Sequence, residues 1–136
     1  MKLASMRIIT DNQERLVSFY ETISGMSAVR YTDMFAELQT PGATLAIGSI
    51  QTLAAFGAQE IMETGENRSV ILEFLVEDVD KEFLRLQGQV ATFVQEPTTM
   101  PWGNRSLLFH DPDGNLVNLF TPVTPEAITK FLELVS

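Results

Sequence analysis

One order of elements is written twice along these 136 residues, so the chain is expected to fold as two copies of a single supersecondary unit. Ser5 to Thr10 is a short Ile-rich run, and Asn12 then opens a segment in which Val17 and Tyr20 recur at helical spacing. Gly25 stops that helix, and Ala28–Tyr31, Met34–Gln39 and Thr44–Gly48 follow as strands, the last two joined by Pro41-Gly42. The order begins again at Val70–Val76, where Asp78 caps a helix over Val79–Leu86 that Gly88 ends. Val90–Val94, Arg105–His110 and Leu116–Phe120 are the strands after it. An offset of 66 residues sets cap on cap, Asn12 on Asp78, and core on core, Val17 on Phe83 and Tyr20 on Leu86. The fold class predicted is α+β, two βαβββ modules in one domain spanning 1–136. Module one covers 3–50, a linker 51–68 and module two 69–122. A further helix over 124–135 has Thr124 as cap, Pro125 in its first turn, and Ile128, Phe131 and Val135 on one face.

The strands also predict a site, because alternate side chains on a strand point to opposite faces. Met6 and Ile8, with Leu72, Phe74 and Val76, suit the helix side. The other face then receives Ser5, Arg7 and Ile9 from one copy and Ile71, Glu73 and Leu75 from the other. For the closing hairpins an offset of 72 sets Phe35 on Leu107, Glu37 on Phe109 and Ala46 on Asn118, a longer loop around Glu96–Asn104 absorbing the difference. Asp111-Pro112-Asp113-Gly114 is the second hairpin's turn: proline presets φ, aspartate bonds its own backbone and glycine accepts positive φ. Pairing across it as four residues sets Leu107 opposite Asn118 and Phe109 opposite Leu116. One face should then hold Arg105, Leu107, Phe109, Leu116, Asn118 and Phe120. Aromatic walls (Phe35, Trp102, Phe109), an apolar floor and four charges (Arg7, Glu37, Glu73, Arg105) describe a small-molecule pocket. Arg7 and Glu73, at repeat-equivalent places, could equally serve only to pair with each other.

Composition removes other classes. Net charge is -9, with 9 basic residues spread thinly, so nucleic acid and membrane surfaces are not expected partners. The absence of cysteine excludes disulfides, thiolate nucleophiles and cysteine metal sites, which favours a cytoplasmic location. No apolar run approaches the ~20 residues of a membrane span, and the first residues have no apolar leader core. The single histidine, His110, ends a strand and stands beside no serine that could make a triad. Glu60, Glu63 and Glu66 are read as solvated surface.

Phe19-Tyr20, Glu77-Asp78-Val79-Asp80, Pro101-Trp102-Gly103 and Asp111-Pro112-Asp113-Gly114-Asn115, in this order and spacing, resemble the vicinal-oxygen-chelate superfamily of glyoxalases, bleomycin-resistance proteins and extradiol dioxygenases, over roughly residues 3–122. The resemblance implies curved mixed sheets around a concave cavity, and metal ligands on the first and last strand of each module. Those positions hold Ser5, Ala46, Ile71 and Asn118, which cannot form the imidazole and carboxylate set a catalytic divalent ion needs. The expectation is therefore a small-molecule-binding protein with no metal and no cofactor, leaning away from enzymatic activity. Its ligand-binding residues are Arg7, Phe35, Glu37, Glu73, Trp102, Arg105, Phe109 and Asn118. An alternative is a lyase, isomerase or dioxygenase-type enzyme with an atypical site, Glu73 its candidate base. A further alternative is a homodimeric interaction module without a ligand; homodimers are common in the superfamily and would cover open sheet edges.

Overall fold

A computed structural model describes residues 1–56 and 63–135 of the chain, so Glu60 and the side chain of Val135 lie outside the described residues. The chain divides into two compact units, Met1–Asn67 and Arg68–Ser136.

The N-terminal unit begins with β1, Ser5–Thr10, and α1, Gln13–Ser24. Asn12 caps α1 with its side-chain oxygen, accepting from the Arg15 amide at 3.1 Å, and Gly25 closes it in the left-handed region at φ 71. Three strands follow: β2 at Val29–Thr32, β3 at Phe35–Gln39 and β4 at Thr44–Ser49. The sheet order is β1-β4-β3-β2, with β1 parallel to β4 and the others antiparallel. Leu16, Val17, Tyr20 and Ile23 bury one stripe of α1, while Ala36, Leu38, Leu45 and Ile47 alternate into the core from β3 and β4. Met6, expected on that side, stands 45% exposed on β1, and the buried end of the strand is Thr10. A 3₁₀ helix over Ile50–Phe56 occupies the start of the stretch read as linker.

The C-terminal unit repeats the plan. Its elements are β5 (Ile71–Leu75), α2 (Val79–Arg85), β6 (Phe93–Thr99), β7 (Asn104–His110), β8 (Leu116–Pro122) and α3 (Pro125–Val135). The order β5-β8-β7-β6, with β5 parallel to β8, matches the first sheet strand for strand. Asp78 caps α2 by accepting from the Asp80 and Lys81 amides, and the helix ends at Arg85, before Gly88 turns the chain at φ 81. Two sequence expectations are corrected. Val90–Val94 is not the strand: Val90 makes an isolated bridge to Gln87, and β6 starts at Phe93 and runs to Thr99. The stretch read as a long loop is therefore largely strand, carried through Pro97 by an irregular register against β7.

The second correction concerns the Asp111-Gly114 turn. Asp111 and Asn115 close it, the Asp111 N–H donating to the Asn115 carbonyl at 2.9 Å, with Gly114 at φ 89. A type I turn followed by a left-handed glycine adds one residue to the loop. His110 consequently pairs with Leu116, Leu108 with Asn118 and Ser106 with Phe120. A one-residue slip exchanges the faces of a strand. Leu107 and Phe109 therefore join Val117 and Leu119 in the core, where Phe83, Phe93 and Phe109 stack edge to face at 5.0 and 5.9 Å. Among the described residues no helix is long and apolar enough to cross a membrane.

Candidate functional site

Each sheet has one face covered by its helix, and the opposite face collects the polar residues. In the N-terminal unit, Arg7, Ala46 and Glu37 stand side by side across β1, β4 and β3. The Arg7 guanidinium lies over the Phe35 ring at 4.7 Å from its centroid. It crosses Gly48 to get there, its Cδ 3.6 Å from where a β-carbon on that glycine would sit. Glu37 accepts from the Tyr31 hydroxyl at 2.9 Å and from Gln39 Nε2 at 3.1 Å. The carboxylate holding that proton raises the Tyr31 pKa above its ordinary value, with Gln39 opposing. Arg7, Phe35 and Glu37 thus share one face, as the strand alternation implied. Tyr31, on the edge strand β2, belongs with them and was not anticipated, because an irregular register between Arg30 and Thr32 hides its facing.

In the C-terminal unit the parallel pairing of β5 with β8 sets Glu73 beside Asn118. Asn118 Nδ2 donates to Glu73 Oε2 at 2.9 Å, which fixes the orientation of the amide, since the flipped amide would oppose two oxygens. Asn118 is 7% exposed, and its Oδ1 has no hydrogen-bond partner. Ser106, diagonal to Asn118 on the same face, is 3% exposed, and its Oγ is unpartnered too. Leaving such a group buried and unpaired costs about 1–3 kcal/mol. Ile71, Leu75, Leu108, Leu116 and Phe120 supply the apolar part of this face by the same register. At its far end an open groove of about 600 Å³, formed by Leu75, Val76, Glu77, Thr121, Pro122, Ile128 and Phe131, runs beneath α3. Phe131 of α3 meets Phe120 there, ring centroids 5.1 Å apart.

The remaining expected residues are elsewhere. Arg105, on the helix side of β7, donates from Nε to Asp80 Oδ2 at 3.1 Å and so ties the sheet to the first turn of α2. Phe109 is 0% exposed in the core. Both moved off the Asn118 face because of the extra turn residue. Trp102 is 66% exposed in the turn between β6 and β7. There Gly103, at φ 94, accepts from the Val123 and Thr124 amides and fastens the turn to the start of α3. Ser106 was the residue missed; one polar side chain within an apolar strand was its signal, readable only with the right register.

The donor set does not suit a metal. Ser5 and Ile71 pair with Thr44 and Leu116, and the positions beside Ala46 and Asn118 are Arg7 and Glu73, so each sheet offers at most one carboxylate there. Among the described residues no three His, Asp or Glu side chains converge.

The family model for the Glyoxalase/Bleomycin resistance protein/Dioxygenase superfamily matches residues 2–119. An uncharacterized protein, YraH, of Bacillus subtilis (strain 168) is 28% identical over 125 residues, 88% of this chain and 98% of that one. The crystal structure of a glyoxalase/bleomycin resistance protein/dioxygenase from Nocardioides is similar with a TM-score of 0.75 and 23% identity, covering 92% of this chain and 85% of that one. That of a family enzyme from Burkholderia phytofirmans PsJN has a TM-score of 0.78 and 19% identity, covering 90% of this chain and all of its own.

Proposed function

The chain belongs to the Glyoxalase/Bleomycin resistance protein/Dioxygenase superfamily, and on that premise we propose that it is a small-molecule-binding member working without the superfamily's usual metal. The observation that carries this reading is the exchange of ligand chemistry on an intact scaffold. Where metal ligands are implied, the chain has Ser5, Ala46, Ile71 and Asn118, and the carboxylate next to Asn118 is engaged by its amide. An apolar sheet face with a few fixed polar groups is what a small organic ligand requires. Glu73 and Asn118 hold its polar end, and Arg7 with Phe35 and Glu37 form a second polar group on the other sheet. With this we propose a homodimer in the cytoplasm, since β2 is an edge strand carrying exposed Val29 and Tyr31.

The test is a thermal-shift and calorimetric screen of anionic, neutral and cationic aromatic metabolites at millimolar concentration, with Trp102 fluorescence as a second signal. Metal content per chain is measured on the same preparation before and after incubation with Mn, Fe, Co, Ni, Cu and Zn. Saturable binding by metal-free protein is the expected result. Stoichiometric metal retained after desalting, or no ligand of any charge, would end the proposal.

A further inference from the structure

Two buried atoms without a partner lie on the Glu73 face of the C-terminal sheet, an amide oxygen that can only accept and a hydroxyl that can accept or donate. Asn118 donates one Nδ2 proton to Glu73, and its Oδ1, an acceptor in a side chain more than nine-tenths buried, has no partner. Ser106 Oγ, buried to the same degree and one diagonal step away, is a second group without a partner. Glu73 adds a carboxylate that reaches solvent. No lysine or arginine of β5, β6, β7 or β8 shares this face: the one arginine of these strands, Arg105, is on the other side with Asp80. The groove that begins at Leu75, two residues beyond Glu73, is apolar apart from Thr121 and a single charged residue, Glu77.

Resting on the ligand-binding reading above, we propose that this site takes an organic cation whose charge is carried on N–H groups, an ammonium, amidinium or guanidinium, with an apolar body. One N–H reaches Glu73, another Asn118 Oδ1 or Ser106 Oγ, and the apolar portion follows the sheet toward Leu75 and Phe120. An anion would meet the Glu73 carboxylate and the Asn118 Oδ1 acceptor on a face where β5, β6, β7 and β8 place no lysine or arginine. A quaternary ammonium would satisfy the charge but leave Asn118 Oδ1 and Ser106 Oγ as they are. Selection by hydrogen-bond donors as well as by charge is therefore the property that defines the site.

Calorimetric titration of the full chain with four probes of similar size tests this: benzamidinium, phenyltrimethylammonium, benzamide and benzoate. Benzamidinium is expected to bind at least tenfold more tightly than the other three. A donor to a charged or buried partner is worth about ten- to hundredfold in affinity. Glu73→Gln, which keeps shape and removes charge, should cost benzamidinium about that much, and Ser106→Ala a smaller loss, with phenyltrimethylammonium changed by Glu73→Gln alone. Equal binding of the two cations, or preference for benzoate or benzamide, overturns the cation assignment while leaving a ligand-binding protein. Undiminished benzamidinium affinity in Glu73→Gln overturns the site. Binding of none of the four overturns this assignment, and the failure of the wider metabolite screen as well would remove the reading beneath it.

Discussion

Replacing Gly103 by alanine should destabilise the C-terminal unit far more than the same change at Gly88, although both glycines have positive φ. At Gly88, φ 81, an added β-carbon meets nothing within 4 Å. The cost there is the left-handed backbone, about 1–2 kcal/mol, partly offset by about 0.4–1 kcal/mol of lost freedom in the unfolded chain. At Gly103, φ 94, the same atom would overlap Thr124 Oγ1 and come within 3.1 Å of the Ala127 β-carbon. Thr124 Oγ1 accepts from the Ala127 amide at 3.3 Å, so displacing it uncaps α3. A lost cap costs about 1 kcal/mol, and forcing a methyl into packed surroundings about 1–3 kcal/mol. Gly103→Ala is thus expected to cost about 2–4 kcal/mol more than Gly88→Ala, a urea midpoint about 1–2 M lower at a slope of about 2 kcal/mol per M. The chain has one tryptophan, Trp102, next to Gly103, so its fluorescence follows this unit through unfolding. Equal midpoints for the two variants, with unchanged slopes, would refute the claim that the turn is clamped to α3.

Asp111 is buried and accepts from the Asp113 amide, the Asn115 amide and Asn115 Nδ2 at 2.9, 2.9 and 2.8 Å. Asp111→Ala should lower stability by about 2–3 kcal/mol, and Asp111→Asn, which keeps one acceptor, by roughly half of that; a loss no larger than that of an exposed residue would count against the turn's part in fixing register. In the N-terminal unit, Arg30 donates to Glu21, and this bond, then the Ala28 amide, holds the Glu21 carboxyl below its ordinary 4.5. A carboxyl depressed in the folded state stabilises above its unfolded value, and the contribution disappears as pH falls through the folded one. Arg30→Leu should accordingly be less stable than the parent at neutral pH, and the gap should narrow well below pH 4.5, measured by circular dichroism during urea unfolding. A gap independent of pH would mean that Arg30 acts by packing alone.

What could be read in the sequence was whatever is fixed by local chemistry. Asn12 and Asp78 as caps, Gly25 as a stop and the Pro41-Gly42 turn are short-range choices, and with them came the element order of both units. The resemblance carried this to a family, and the family model matches over residues 2–119. The errors arose where spacing must be counted to a single residue. Asp-Pro-Asp-Gly announces a hairpin, but whether Asn115 belongs to the turn or the strand is decided by the Asp111 to Asn115 closure, and nothing in the four letters states it. Arg105 and Phe109 were misfaced for that reason, while Glu73 and Asn118, whose parallel pairing does not pass through the turn, stand next to each other. β6 was placed too early, over Val90–Val94, because Gln-Glu-Pro-Thr-Thr has neither apolar alternation nor an unbroken donor row.

The two sheets share strand order yet are closed by turns of different length: Gln39 pairs with Thr44 across four residues, and His110 with Leu116 across five. Gaining or losing one residue at such a tip acts as a transposition of an entire strand. Every side chain of β7 changes sides at once, whereas β5 and β8, held to each other, keep theirs. Duplicated copies of this plan can therefore acquire unlike interiors without any substitution within a strand, and a length change at a hairpin tip is as consequential for what the sheet can bind as a mutation in its middle.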